Sequence, residues 1–364
     1  MSIISSASGS VLITSGALDS NYSGSISYGP KQILNGLILY VDAANPLSYP
    51  GSGNVWNNLV YRPGSINNEA AFNGELSGSA AVIPSWDSTH QGRIHVKASS
   101  SYPNPSGPAS SSYVSFGNLG KPSPLAGTNP QFSFNIWFEI DYSKQIIEYS
   151  IVEPPTPPGN WYSQNGGNSV TIFSKWADVN MLIPNPARTA FISGNARELL
   201  LQLNTLLGDN NPANPNTNPY YLRFEIQEDP TQGTKKISLK NPNYIIPDKK
   251  PINVHINYNG GISPSSRIEL YINGYKTTED EIEITGVPTG NHIGSLSRLA
   301  LGAQIGNSFA AELEGVTENS GLSSMMQADA YYYLFQIYNR ILSSQEIEQN
   351  YFAHRYRFRP WEIL

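Results

Sequence analysis

Residues 132–138 alternate strictly: Phe132, Phe134, Ile136 and Phe138 fall on one face, Ser133, Asn135 and Trp137 on the other. A period of two is the mark of a β-strand with two different faces. The same alternation runs through Tyr221–Gln227 and through Ile252–Tyr258, where the apolar residues take the even positions. Arg267–Ile272 is a further strand, closed by the hairpin dipeptide Asn273-Gly274. Leu37–Val41, Val114 and Phe116, Val170–Trp176, Leu299–Gly302 and Tyr331–Tyr338 also read as strands, the last with Tyr333, Phe335 and Ile337 on one side. Ala196–Leu203 fits a helix or a strand equally, because periodicity does not separate the two there. Many short strands with turn residues between them predict a two-sheet sandwich.

One helix is signed by local chemistry. Ser343-Ser344-Gln345-Glu346 is a capping box with Ser343 as N-cap, and Leu342 and Ile347 are spaced as a hydrophobic staple. Ile347, Tyr351, His354 and Phe358 form one stripe, and Pro360 ends the helix, so the expectation is a short helix over 343–358. Arg355, Arg357 and Arg359 cluster near its end, which predicts dipole compensation and solvent exposure rather than a binding patch.

Residues 1–35 stand apart, rich in Ser and Gly with only small apolar clusters. Such a segment buries no core of its own. It reads either as a floppy tail or as an extended arm that docks on a partner by strand addition. Residues 36–364 are expected to form the sandwich. Segments 99–112, 153–168 and 208–219 are rich in Pro, Ser, Asn or Gly and read as long loops.

Composition narrows the function classes. Charged residues are 14% of the chain and the net charge is −6, which argues against a duplex-binding protein. There is no cysteine, which excludes disulfides, thiolate metal sites and a cysteine nucleophile. The first basic residue is Lys31, the start lacks an apolar signal core, and no apolar run approaches membrane-spanning length. The expectation is a soluble protein folded in a cytoplasm, with no nucleic-acid or membrane partner.

Three segments resemble a known superfamily. Gly36–Pro46 with Tyr49–Gly53 resembles an opening motif of phage structural proteins. Ile268–Gly274 resembles the strand and turn of laminin-G-like, concanavalin A-like jelly rolls. Ile337–Ser343 with Glu346, Ile347, Asn350 and Tyr351 resembles the terminal strand and helix of that superfamily in phage and bacterial surface proteins. The resemblance implies an all-β, two-sheet antiparallel jelly-roll sandwich of the lectin/glucanase type, with long loops and a short C-terminal helix. It implies neither a lectin nor a glucanase, because one fold hosts many functions.

Glycoside hydrolysis needs two carboxyls across the scissile bond. The glucanase branch carries them as Glu-x-Asp-x-x-Glu. Glu139-Ile140-Asp141 is the nearest match, but Lys144 occupies the third acidic position. The acids of 279–283 lack that order and read as an exposed edge or loop. His90, His95, His255, His292 and His354 show no ligand spacing, and His255 reads as a half-exposed sheet residue. Asp178 with Asn180 and Asp209 with Asn210 are calcium donors only by a spacing common in loops. No metal, cofactor or catalytic site is expected. A glycan would best be met by Trp161 and Tyr162 beside Gln164 and Asn165.

The leading expectation is therefore a non-enzymatic virion structural protein of a tailed bacteriophage: a surface decoration, neck, tail or fibre component. It would assemble in the host cytoplasm, contact other capsid, neck or tail proteins, and form a homo-oligomer, with a trimer as one such form. The alternatives are an adhesin that binds a cell-surface glycan and a glucanase-type hydrolase with an atypical acid set.

Overall fold

The structure is a computed structural model that describes residues 30–60, 72–78, 83–97, 112–117, 119, 123–145, 169–176, 197–205, 219–228, 235–292, 298–305, 324–325 and 328–358. The main strands are β1 (Leu37–Asp42), β2 (Gly74–Gly78), β3 (Ser85–Asp87), β4 (Arg93–Val96), β5 (Ser112–Ser115), β6 (Gln131–Ile140), β7 (Ser169–Trp176) and β8 (Arg197–Thr205). They continue with β9 (Tyr220–Gln227), β10 (Lys236–Asn241), β11 (Ile252–Asn259), β12 (Ile268–Ile272), β13 (Glu281–Thr285), β14 (Leu299–Leu301) and β15 (Ala330–Tyr338), followed by the helix α1 (Ser344–His354). Of the segment 196–203, ambiguous by periodicity, the described residues 197–203 are strand: β8 pairs with both β7 and β9.

Two antiparallel sheets face each other, as expected of the sandwich. The first runs β12-β11-β6-β15-β4-β3, with Tyr275–Lys276 beside β12 and β1 paired to the second half of β15. The second runs β13-β10-β9-β8-β7-β14-β5-β2, with Val55–Trp56 at the far edge. The alternation of β6 decides its inward face: Phe132, Phe134, Ile136, Phe138 and Ile140 are all buried in the shared core. Phe134 lies with its ring centroid 5.1 Å from Phe173 and 6.3 Å from Phe224, both of the opposite sheet. Aromatic packing at this range adds to the burial of apolar area that holds the layers together.

β15 departs from simple alternation. Its register against β6 shifts between Tyr332 and Leu334. The bulge sends Tyr332, Phe335 and Ile337 into the main core and turns Tyr333 to the other face. The even spacing of Tyr333, Phe335 and Ile337 therefore does not place them together, because a bulge resets the faces.

The outer face of the first sheet is covered too. Trp137 stacks on Tyr351 of α1 at 5.5 Å and on Phe358 at 4.7 Å. Amides make a ladder across the strands: Asn253 Nδ2 donates to Asn135 Oδ1 at 2.8 Å, and Asn135 Nδ2 to Gln336 Oε1 at 2.7 Å. His255 lies in the same layer and is fully buried, not half exposed, because α1 and the chain leading into it cover β11.

Residues 31–35 are part of that cover. Ile33 N donates to Asn350 Oδ1 at 2.7 Å, Tyr338 OH to Ile33 O at 3.0 Å and Arg340 Nε to Asn35 O at 2.9 Å. Residues 1–29 of the expected arm lie outside the described residues.

The capping box of α1 is present: Glu346 N donates to Ser343 Oγ at 3.3 Å and Ser343 N to Glu346 Oε2 at 2.9 Å. Leu342 and Ile347 pack together with Tyr271 and Tyr338. The helix gives way to a 3-10 turn over Arg355–Arg357. Arg357 is not a solvent-exposed dipole partner. It is buried, with Nη1 2.8 Å from Asp42 Oδ1 and Nη2 donating to Gly92 O at 2.8 Å. A buried guanidinium persists where a carboxylate and carbonyls satisfy it.

Candidate functional site: a tyrosine-lined cleft at the sandwich edge

The described residues enclose a cleft of about 510 Å³ where one edge of each sheet meets α1. That volume lies within the range of small-ligand sites. Three chain segments build it.

The first is the hairpin after β12. Asn273 and Gly274 both take positive φ, 50° and 85°, which a two-residue hairpin turn requires. Asn253 N donates to Asn273 Oδ1 at 3.0 Å, and Asn273 N donates to Asn253 O at 2.9 Å, so the turn is tied to the neighbouring strand. Gly274 lies against Tyr351 so closely that a Cβ there would sit 3.0 Å from the ring. Glycine thus serves both backbone conformation and close approach. The turn delivers Tyr275 and Lys276 to the cleft, with Tyr275 60% exposed.

The second segment is the turn that follows β10. Tyr244 N donates to Asn241 Oδ1 at 3.0 Å, and Asn241 Nδ2 donates to Asp280 Oδ1 at 2.9 Å. Thr277 Oγ1 lies 2.5 Å from Asp280 Oδ2. Asp280 is thus the tie between the hairpin and the end of the second sheet, while Asn243, Thr278 and Glu279 face the cleft as exposed polar groups. The third segment is α1, which contributes Tyr351.

Three tyrosines, Tyr244, Tyr275 and Tyr351, line the space together with amide and hydroxyl side chains. Burial raises the pKa of the Tyr244 and Tyr351 phenols, so both remain neutral hydroxyls over the working pH range. Lys276, the cation of the lining, has Nζ 2.5 Å from Glu269 Oε1. That hydrogen bond raises the lysine pKa. Burial pushes the Glu269 carboxyl up, but hydrogen bonds from Lys276 and Asn257 outweigh it and leave the pKa below the usual value. Burial raises the pKa of Asp280, against the hydrogen bonds from Thr277 and Asn241.

Chemically, aromatic faces beside neutral hydrogen-bonding groups suit a ligand with apolar patches and many hydroxyls. The acids singled out by sequence lie elsewhere. Glu139 is buried, 3.2 Å from Arg93 Nη1, and accepts from Tyr333 OH at 2.6 Å. Asp141 accepts from Ser143 N at 3.0 Å and lies 3.4 Å from Lys249 Nζ, so it holds a chain turn. The acids of 281–283 lie on the exposed edge strand β13, as their pattern predicts. Among the described residues no group of three or more His, Asp or Glu is arranged to hold a metal. No helix among them is long and apolar enough to cross a membrane. Trp161, Tyr162, Gln164 and Asn165 lie outside the described residues, as do Asp178, Asn180, Asp209 and Asn210.

Sequence reasoning missed this cleft. Its one local signal was Asn273-Gly274 followed by Tyr275; nothing local places Tyr244 or Tyr351 beside that turn.

No protein-family model matches the sequence, and no characterised protein matches it. Solved structures with a similar fold include the binding domain of botulinum neurotoxin DC in complex with rat synaptotagmin II, at 10% identity and TM-score 0.47, covering 88% of this chain and 52% of that one. The botulinum neurotoxin serotype D/C VPI 5993 binding domain is similar at 12% identity and TM-score 0.46, covering 88% and 53%. A structure of botulinum neurotoxin type C, whose cell entry depends on interaction with two ganglioside molecules, is similar at 9% identity and TM-score 0.45, covering 88% and 51%. The chain spans about half the length of these domains.

Proposed function

We propose that this chain is a non-enzymatic carbohydrate-binding β-sandwich whose ligand lies in the cleft between the Asn273-Gly274 hairpin, the turn after β10 and α1. The observation that carries the reading is the convergence of Tyr244, Tyr275 and Tyr351 with exposed amide and hydroxyl groups in one cleft. Tyr275, exposed directly after the Asn273-Gly274 turn, is the platform on which a sugar ring stacks. The test is a glycan array followed by calorimetry on the bound glycans. Tyr275→Ala is expected to weaken binding at least about tenfold, the scale of a central aromatic contact, with the thermal unfolding midpoint little changed. A chain that binds no glycan on the array would refute the reading.

The setting on a tailed-phage particle is a companion proposal, supported by the segment resemblance. Residues 31–35 are clasped to β15 and the chain around α1. An arm preceding them would start from a fixed point on the sandwich. A chain beginning at Pro30 retains that clasp. It should fail to incorporate into particles while keeping glycan affinity; normal incorporation would refute the anchoring role.

A further inference from the structure

The charge around the cleft narrows the class of ligand, on the premise that the cleft binds carbohydrate. Lys276 is the cation among the lining residues, and its ammonium is engaged by Glu269 at 2.5 Å. Glu279 lines the cleft as an exposed carboxylate. Asp280 follows it in the chain, tied to Asn241 and Thr277, and β13 begins at Glu281, also exposed. Other cations near this edge are matched by acids: Lys240 lies 2.5 Å from Glu283, and Arg223 and Lys236 pair with Glu225. On the Glu279 side a ligand therefore meets a carboxylate with no ion-paired cation among the described residues, while the exposed Arg355 lies on the α1 side, its guanidinium 5.8 Å from the Tyr351 ring centroid.

We infer that the cleft disfavours glycans that place an acidic group on its Glu279 side and prefers neutral or amino-bearing ones there, with Glu279 as the discriminating residue. A carboxylate or sulfate held ~6 Å from Glu279 at an effective dielectric of ~40 loses about tenfold in affinity. Neutral hydroxyls and acetamido groups carry no such penalty and can hydrogen-bond to Asn243, Thr278 and the tyrosine hydroxyls. Discrimination of this kind rests on repulsion as much as on attraction.

The test uses the full chain and matched glycan pairs that share one backbone, one member neutral and the other sialylated or sulfated. Binding is measured at low and at physiological salt. The neutral member is expected to bind at least about tenfold tighter, with the gap widening at low salt because screening is weaker there. Glu279→Gln is expected to bring the gap to within about threefold by raising the affinity for the acidic member. Acidic members that bind as well as neutral ones, through contacts that Tyr275→Ala removes, would overturn the inference while the carbohydrate reading stands. Glycan binding that Tyr275→Ala leaves intact would place the site elsewhere and overturn the inference. Absence of any glycan binding would overturn both.

Discussion

Two histidines under and within α1 make the fold sensitive to mild acid. His255 is fully buried, accepts or donates at Nε2 with Asn257 Oδ1 at 3.0 Å, and has no partner for Nδ1 among the described residues. His354 is buried in the last turn of α1, and its Nε2 has no partner there either. Desolvation lowers both pKa values to about 4. For His255 the hydrogen bond to Asn257 and the carboxylates Glu269 and Glu346 oppose that shift; for His354 Asp42 opposes it and Arg357 reinforces it. The unfolded chain protonates near 6.5, so between pH 6.5 and 4 it binds protons that the folded state does not. The contribution to stability is present above pH 6.5 and is lost as pH falls toward 4. Each histidine contributes about 2 kcal/mol to the loss between pH 7 and 5, so the pair gives about 4 kcal/mol. Glu198 and Glu346, held down at about 2, add their own loss only below the ordinary glutamate range. Urea unfolding at pH 7, 6 and 5, with amide exchange over α1, measures the effect. His255→Gln and His354→Gln should each remove about half of the fall. A wild-type stability that changes by less than ~1 kcal/mol from pH 7 to 5, or a full slope retained in both variants, would refute the reasoning.

Two further substitutions test the architecture that supports the cleft. Gly274→Ala forces a Cβ to 3.0 Å from Tyr351 at a φ of 85°; a stability loss of about 1–3 kcal/mol is expected, with glycan affinity reduced, measured by denaturant titration and calorimetry. Arg357→Ala leaves Asp42 buried opposite a lost guanidinium; the expected cost is about 3–5 kcal/mol, and replacing Asp42 by Asn as well should recover part of it in a double-mutant cycle.

The elements that could be read in advance are those whose cause is local. β6 follows from seven alternating residues, the hairpin from Asn273-Gly274, and the start of α1 from Ser343 and Glu346 hydrogen-bonding one another across three positions. Side-chain alternation, positive φ at a turn and end-capping are decided within a few residues of the chain. Even so, the bulge in β15 shows the limit: whether Tyr333 joins Phe335 depends on register against β6, which β15 alone does not contain.

Burial and site geometry belong to a different level. Arg357 reads as a solvent-exposed charge until β1 brings Asp42 to it from 315 positions away. His255 reads as half exposed until α1 closes over β11. The cleft requires Tyr244, Tyr275 and Tyr351 to converge from the ends of two sheets and a helix. Local pattern settled the strands, the turn and the cap, because steric and hydrogen-bonding preferences act between near neighbours. Packing alone settled which polar groups are buried, which charges are paired and where the tyrosines meet, because those depend on distances through space rather than along the chain.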